Sequence, residues 1–139
     1  MVHALKEAYR VLVPHGIMID VRPLSTDGPL EIINDGRHES AGMIDMSPGL
    51  VLDEEADQAV ETVKNDHLFK EIKLEYFNFT YYWDTVDGME EDMEENWQGE
   101  VVITEKTWNQ ARQLFSLGGP DSKVRMACRM KLGVYAKNR

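Results

Sequence analysis

Cysteine is nearly absent. The single residue, Cys128, excludes an internal disulfide and suits a reducing compartment. No apolar run approaches the roughly 20 residues that a membrane helix needs, and no signal-peptide pattern is visible. The expected location is therefore cytoplasmic. Basic residues are outnumbered, with Lys and Arg totalling 15 against 25 Asp and Glu, a net charge of −10. That balance argues against a nucleic-acid partner, whose phosphates need a basic face, and against an anionic membrane surface. The four histidines (His3, His15, His38, His67) lack ligand spacing, and neither HExxH nor CxxC occurs, so no metal site is expected. No G-x-G-x-x-G or G-x-G-x-G is present, which removes the backbone cradle that holds a nucleotide cofactor. No Ser-His-Asp constellation or internal repeat is identifiable, so no catalytic residue is assigned.

What remains is an ordinary globular composition, 42% hydrophobic and 29% charged, and a length of 139 residues that suits one domain over 1–139. The organising stretch is Ala4 to Pro23, ALKEAYRVLVPHGIMIDVRP. Leu5, Ala8, Tyr9 and Leu12 follow the i, i+3, i+4, i+7 stripe of an amphipathic helix. Pro14 pushes Val13 out of the α region and should end that helix near Val13. Gly16 permits a reversal, and the mostly apolar run Ile17 to Val21 predicts a strand covered on both faces.

Further elements follow in order. Leu30 to Asn34 and Ala41 to Met46 predict an inserted hairpin around Asp35-Gly36, with Arg37 to Ser40 making its loop longer than two residues. Leu52, Ala56, Ala59, Val60 and Val63 predict a helix over roughly 54–64 with Asp53 as N-cap. Phe69 to Trp83 is the longest β-prone run. Its apolar parity changes near Tyr76-Phe77, which predicts either a bulge or, preferably, burial on both sides beneath a cap. Asp84 to Gln98 reads as an acidic amphipathic helix with Val86, Met89, Met93 and Trp97 on its apolar side. Thr104 should cap a helix presenting Trp108, Ala111, Leu114 and Phe115, stopped at Gly118-Gly119-Pro120. Ser122 to Tyr135 alternates, with Val124, Met126, Cys128, Met130, Leu132 and Val134 on one covered face.

The helix, the R-V-L-x-P turn at Arg10 to Gly16 and the strand after it resemble a segment just past the middle of class I S-adenosylmethionine-dependent methyltransferases; His15 stands where that family usually has a second glycine. The resemblance implies the C-terminal half of that fold, with its last strand antiparallel between the two before it. Starting at Met1, the chain would lack the cofactor-binding half. The expected class is α/β, or α+β for the isolated half: a mixed sheet of about three main strands plus the hairpin, with helices packed on it. No cofactor is expected in the isolated chain, and S-adenosylmethionine only if a partner half completes it.

Two groups of side chains are candidates for ligand binding. Asp20 and Arg22 lie at the C-terminal end of the first strand, where open α/β sheets bind ligands, or else form a salt-bridged strand end. Tyr81, Tyr82, Trp83, Trp97 and Trp108 would build an aromatic pocket for a cation or a flat ligand, or else be core. Cys128 reads as a buried structural thiol. Three functions stay open: a methyltransferase-like half acting as a binding or assembly module or as part of a split enzyme; a small-ligand-binding protein using the aromatic cap; and a fragment of an intact methyltransferase with a mis-set start. In the first, strand 17–21 lacks a neighbour on one side, so a homodimer through that edge or a cofactor-binding partner chain is expected, unless the hairpin folds over it.

Overall fold

The computed structural model describes all residues, Met1–Arg139. The order is α1 (Val2–Val11), β1 (Ile17–Pro23), β2 (Gly28–Asn34), β3 (Arg37–Ile44), a short 3-10 turn (Ser47–Gly49), α2 (Leu50–Asn65), β4 (Phe69–Trp83), α3 (Val86–Asn96), α4 (Glu105–Ser116) and β5 (Lys123–Lys137). The class is α+β, with one open five-stranded sheet in the order β1-β5-β2-β3 and with β4 also paired to β5. The hairpin is thus part of the main sheet, where a separate insertion beside three strands was expected. The last strand, β5, pairs with both β1 and β4.

The fold divides into two units. One comprises Met1–Leu24, Val51–Phe77 and Arg129–Arg139, and the other Ser25–Leu50 and Asn78–Cys128. In the first, β1 pairs antiparallel with the C-terminal part of β5, from Ile17 opposite Ala136 to Pro23 opposite Met130. Leu5, Ala59, Val60, Val63, Phe69 and Tyr135 form its core, with Tyr9, Leu12 and Met18 packed against it. In the second, β2 pairs with β3 and, through Leu30 to Ile33, with the N-terminal part of β5. Its core joins Leu30, Ile32, Val124 and Met126 of the sheet to Met89, Met93, Trp108 and Ala111 of the helices. Burying each of the Leu, Ile, Val and Met side chains is worth about 1.5–3 kcal/mol.

Several helix signals hold. Thr104 Oγ1 accepts from Thr107 N at 3.2 Å to start α4, and Thr85 does the same for Gly88 N at 2.9 Å in α3. The start of α2 differs. The turn with Pro48 in its first positions leads directly into Leu50, so Asp53 lies in the first turn and is not the N-cap. The hairpin loop is also tighter than expected. Asn34 pairs with Arg37, leaving Asp35 (φ 49°) and Gly36 (φ 74°) as a two-residue turn, the left-handed geometry that Asp-Gly favours. Arg37 to Ser40 are strand.

The burial expectations for three strands are overturned. β1 is not covered on both faces: Ile17, Ile19 and Val21 are 49%, 62% and 47% exposed. Within this unit, Arg22 of β1 bonds Asp57 of α2 and Met18 packs on the core, so the even-numbered residues face the helices. The central part of β4 is not buried beneath a cap either, since Ile72, Leu74, Tyr76, Phe77 and Phe79 are all exposed. On β5, Val124, Met126 and Cys128 are buried as expected, but further along Gly133 and Tyr135 are the buried positions, while Met130, Leu132 and Val134 are half-buried. The covered parity is even in one stretch of β5 and odd in the other. A single alternation read along the whole strand misses this.

Gly133 is required by close approach. A Cβ there would meet Cε2 and Cζ of Tyr135 at 2.5 and 2.6 Å, and that ring is locked in the first unit's core. Gly133→Ala should destabilise the protein by about 1–3 kcal/mol through overpacking, read as a lower midpoint in urea denaturation.

Candidate functional site

Asp20 and Arg22 fall in the first unit, on the helix-covered face of β1. Arg22 donates to Asp20 at 2.8 Å and to Asp57 of α2 at 2.9 Å, and Lys131 of β5 donates to Asp57 at 2.8 Å. Four charges of alternating sign therefore link β1, α2 and β5. Burial opposes the charge on Arg22, but Asp57 and Asp20 outweigh it and raise its pKa. Burial likewise opposes ionisation of Asp57, yet Lys131 and Arg22 prevail and hold its carboxyl below the ordinary value of 3.8. The geometry is that of a salt-bridged strand end. Asp57 and Lys131 were missed from the sequence, where nothing in their spacing connects them to Arg22.

The aromatic candidates fall in the second unit and separate into three groups. Tyr82 is 57% exposed and packs with none of the others, which removes it from the pocket. Its parity along β4 is opposite to that of Tyr81 and Trp83, which pack on the core. Tyr81 and Trp83 are stacked with ring centroids 6.1 Å apart, and Tyr81 meets Trp97 edge to face at 5.6 Å. The Trp83 indole N–H donates to Asp92 of α3 at 3.0 Å, which fixes the ring beside the helix. Burial, then the proximity of Cys128 and Asp92, pushes the Tyr81 phenol pKa up, so this hydroxyl stays protonated at neutral pH. These two residues act as structural support.

Trp97 and Trp108 line one cavity of about 230 Å³ together with Glu90, Met93, Glu94, Val101 and Ile103. Trp108 is buried and forms the cavity's inner side, whereas Trp97 stands at the C-cap of α3 and is half-buried. Glu90, Met93, Glu94 and Trp97 are spaced i, i+3, i+4, i+7, so α3 turns a single stripe towards this space. That stripe is legible in the sequence once the two glutamates are counted with the apolar residues. Arg112 of α4 pairs with Glu90 and, at 3.4 Å, with Asp87, while Glu94 belongs to neither pair.

Cys128 is buried, in keeping with a structural thiol. No group of three or more His, Cys, Asp or Glu side chains converges in a way that could hold a metal ion, and no helix is long and apolar enough to cross a membrane. No protein-family model, curated protein or solved structure matches this chain.

The sign of the Asp57 shift fixes an acid limit. A depressed carboxyl pKa contributes stability that is complete above 3.8 and is lost as pH falls through the lower folded value. Unfolding free energy measured in urea from about pH 5 to pH 2 should fall, and Asp57→Asn should flatten part of that slope while lowering stability at neutral pH.

Proposed function

We propose that the chain is a methyltransferase-like half domain that works as an assembly module, with β1 as its docking strand. One observation carries this. β1 lies at an end of the sheet and pairs with β5 alone. An unpaired strand edge flanked by exposed aliphatic side chains is a template for association. The R-V-L-x-P segment before β1 and the order of β1, β5 and β4 support the methyltransferase-like part of the reading.

A second copy of the chain is the simplest occupant. Two β1 edges meeting antiparallel about a two-fold axis would satisfy both rows of backbone groups with one isologous interface. The strand contains one acidic residue, Asp20, already neutralised by Arg22, so the −10 charge of the chain is not concentrated there.

The bare face beside the edge favours a second reading, completion by a separate cofactor-binding chain as in a split methyltransferase. Phe69 packs in the core and Glu71 pairs with Lys64 of α2, so odd-numbered β4 residues face the helices and Ile72, Leu74 and Tyr76 face away. With Ile17, Ile19, Val21, Leu132 and Val134 they form an apolar face free of acidic residues. A partner bringing both a strand and a helical layer would cover edge and face together.

Light scattering separates the two. Self-pairing predicts a mass of about 32 kDa, twice the 16.0 kDa chain, and Ile19→Lys should return it to a folded monomer because Ile19 is exposed. A 16.0 kDa species at all concentrations rejects self-pairing and leaves the partner chain. In either case, calorimetry with S-adenosylmethionine on the isolated chain should show no saturable heat. Micromolar binding would overturn the assignment as a half without its own cofactor site.

A further inference from the structure

We infer that the cavity at the C-terminal end of α3 is a binding site for a small organic cation of the alkylated-ammonium class. This is independent of what covers β1. Its inner side is apolar and aromatic, with Trp97, Trp108 and Met93, the surface that attracts a cation carrying methyl or methylene groups. The only ionisable groups in its lining are carboxylates, Glu90 and Glu94. Arg112 neutralises Glu90 and so holds α3 against α4, which leaves Glu94 as the uncompensated charge at the mouth.

A second feature points the same way. The cavity sits at the negative end of the α3 dipole, and the last turn of that helix has no basic residue to offset it. Acidic residues there are in their unfavourable place, and Glu94 and Glu95 occupy it. A bound cation would relieve both the dipole and Glu94. The other acids of α3 (Asp87, Glu91 and Asp92) add a negative field that draws cations and repels anions. The volume, about 230 Å³, lies below the usual range for drug-sized ligands and suits a compact headgroup.

The test is a tryptophan-fluorescence titration of the full chain with choline and with 3,3-dimethyl-1-butanol, its uncharged isostere. Choline should change the emission saturably, with a dissociation constant on the order of 1 mM, and the isostere should bind about tenfold more weakly. Glu94→Gln, at an exposed position where folding is not at risk, should weaken choline about fivefold and leave the isostere unchanged. Trp97→Leu should abolish the choline response while circular dichroism remains native. Equal affinity for choline and its isostere would make the cavity merely apolar and overturn the charge assignment. No saturable change with choline, or a full response retained by Trp97→Leu, would overturn the site.

Discussion

Every strand of this protein depends on the antiparallel ladder of β5. β1, β2 and β4 each bond to it directly, and β3 is held through β2. Ladder bonds are worth only about 0.5–1.5 kcal/mol each, so a strand with one partner is held mainly by its side chains. For β1 those side chains are Met18 in the core and the Asp20–Arg22–Asp57–Lys131 chain of charges. Lys131 lies opposite Arg22 in the β1–β5 register, and two cations face to face would repel. Asp57, reaching from α2 to both, turns that repulsion into a clamp between strand pair and helix. The Asp20–Arg22 pair at the strand end thus holds the strand to α2.

The sequence was most legible where one physical signal acted alone. The hydrophobic stripes of α1, α3 and α4, the Thr104 cap and the Asp35-Gly36 turn are local, and each appears close to its expected position. Legibility fell where the buried face of a strand is set by which helix lies over it. An apolar run such as Ile17 to Val21 has the same composition whether both faces are covered or one is left bare. The parity change in β4 was visible in Phe69 to Trp83, but whether it meant burial or exposure depended on partners distant in sequence. Gly133 illustrates the same limit in β5. Its role depends on Tyr135 folding back over it, which alternation alone does not encode.

The aromatic candidates show how far composition can be carried towards a site. Five aromatic residues predicted one pocket; the structure distributes them among an exposed surface, a supporting stack and a cavity wall. Trp83 is fixed by Asp92 and Tyr81 leans on Trp97, so both stabilise the position of Trp97 from behind. Trp97 and Trp108 meet at the cavity because one ends α3 and the other lies in the first turn of α4, with a short connection between them. The chemistry of the cavity then comes from glutamates on the same helical stripe as Trp97. These are residues that a search for aromatic clusters passes over.

The acidic character of α3 has a structural consequence besides its field. Asp87 and Glu90, one helical turn apart, share Arg112 of α4, and Asp92 accepts from Trp83 and Asn96. Three of the helix's acids therefore have structural partners, two of them a shared cation. Glu91, Glu94 and Glu95 have no such role among the contacts described, and of these Glu94 alone lines the cavity. A solvated acidic face accounts for Glu91 and Glu95, since both are exposed and exposed carboxylates retain their hydration. For Glu94 that account is incomplete. Its carboxylate lies at the helix end where the backbone dipole disfavours it and beside two indole rings. Both features favour a cation placed next to it.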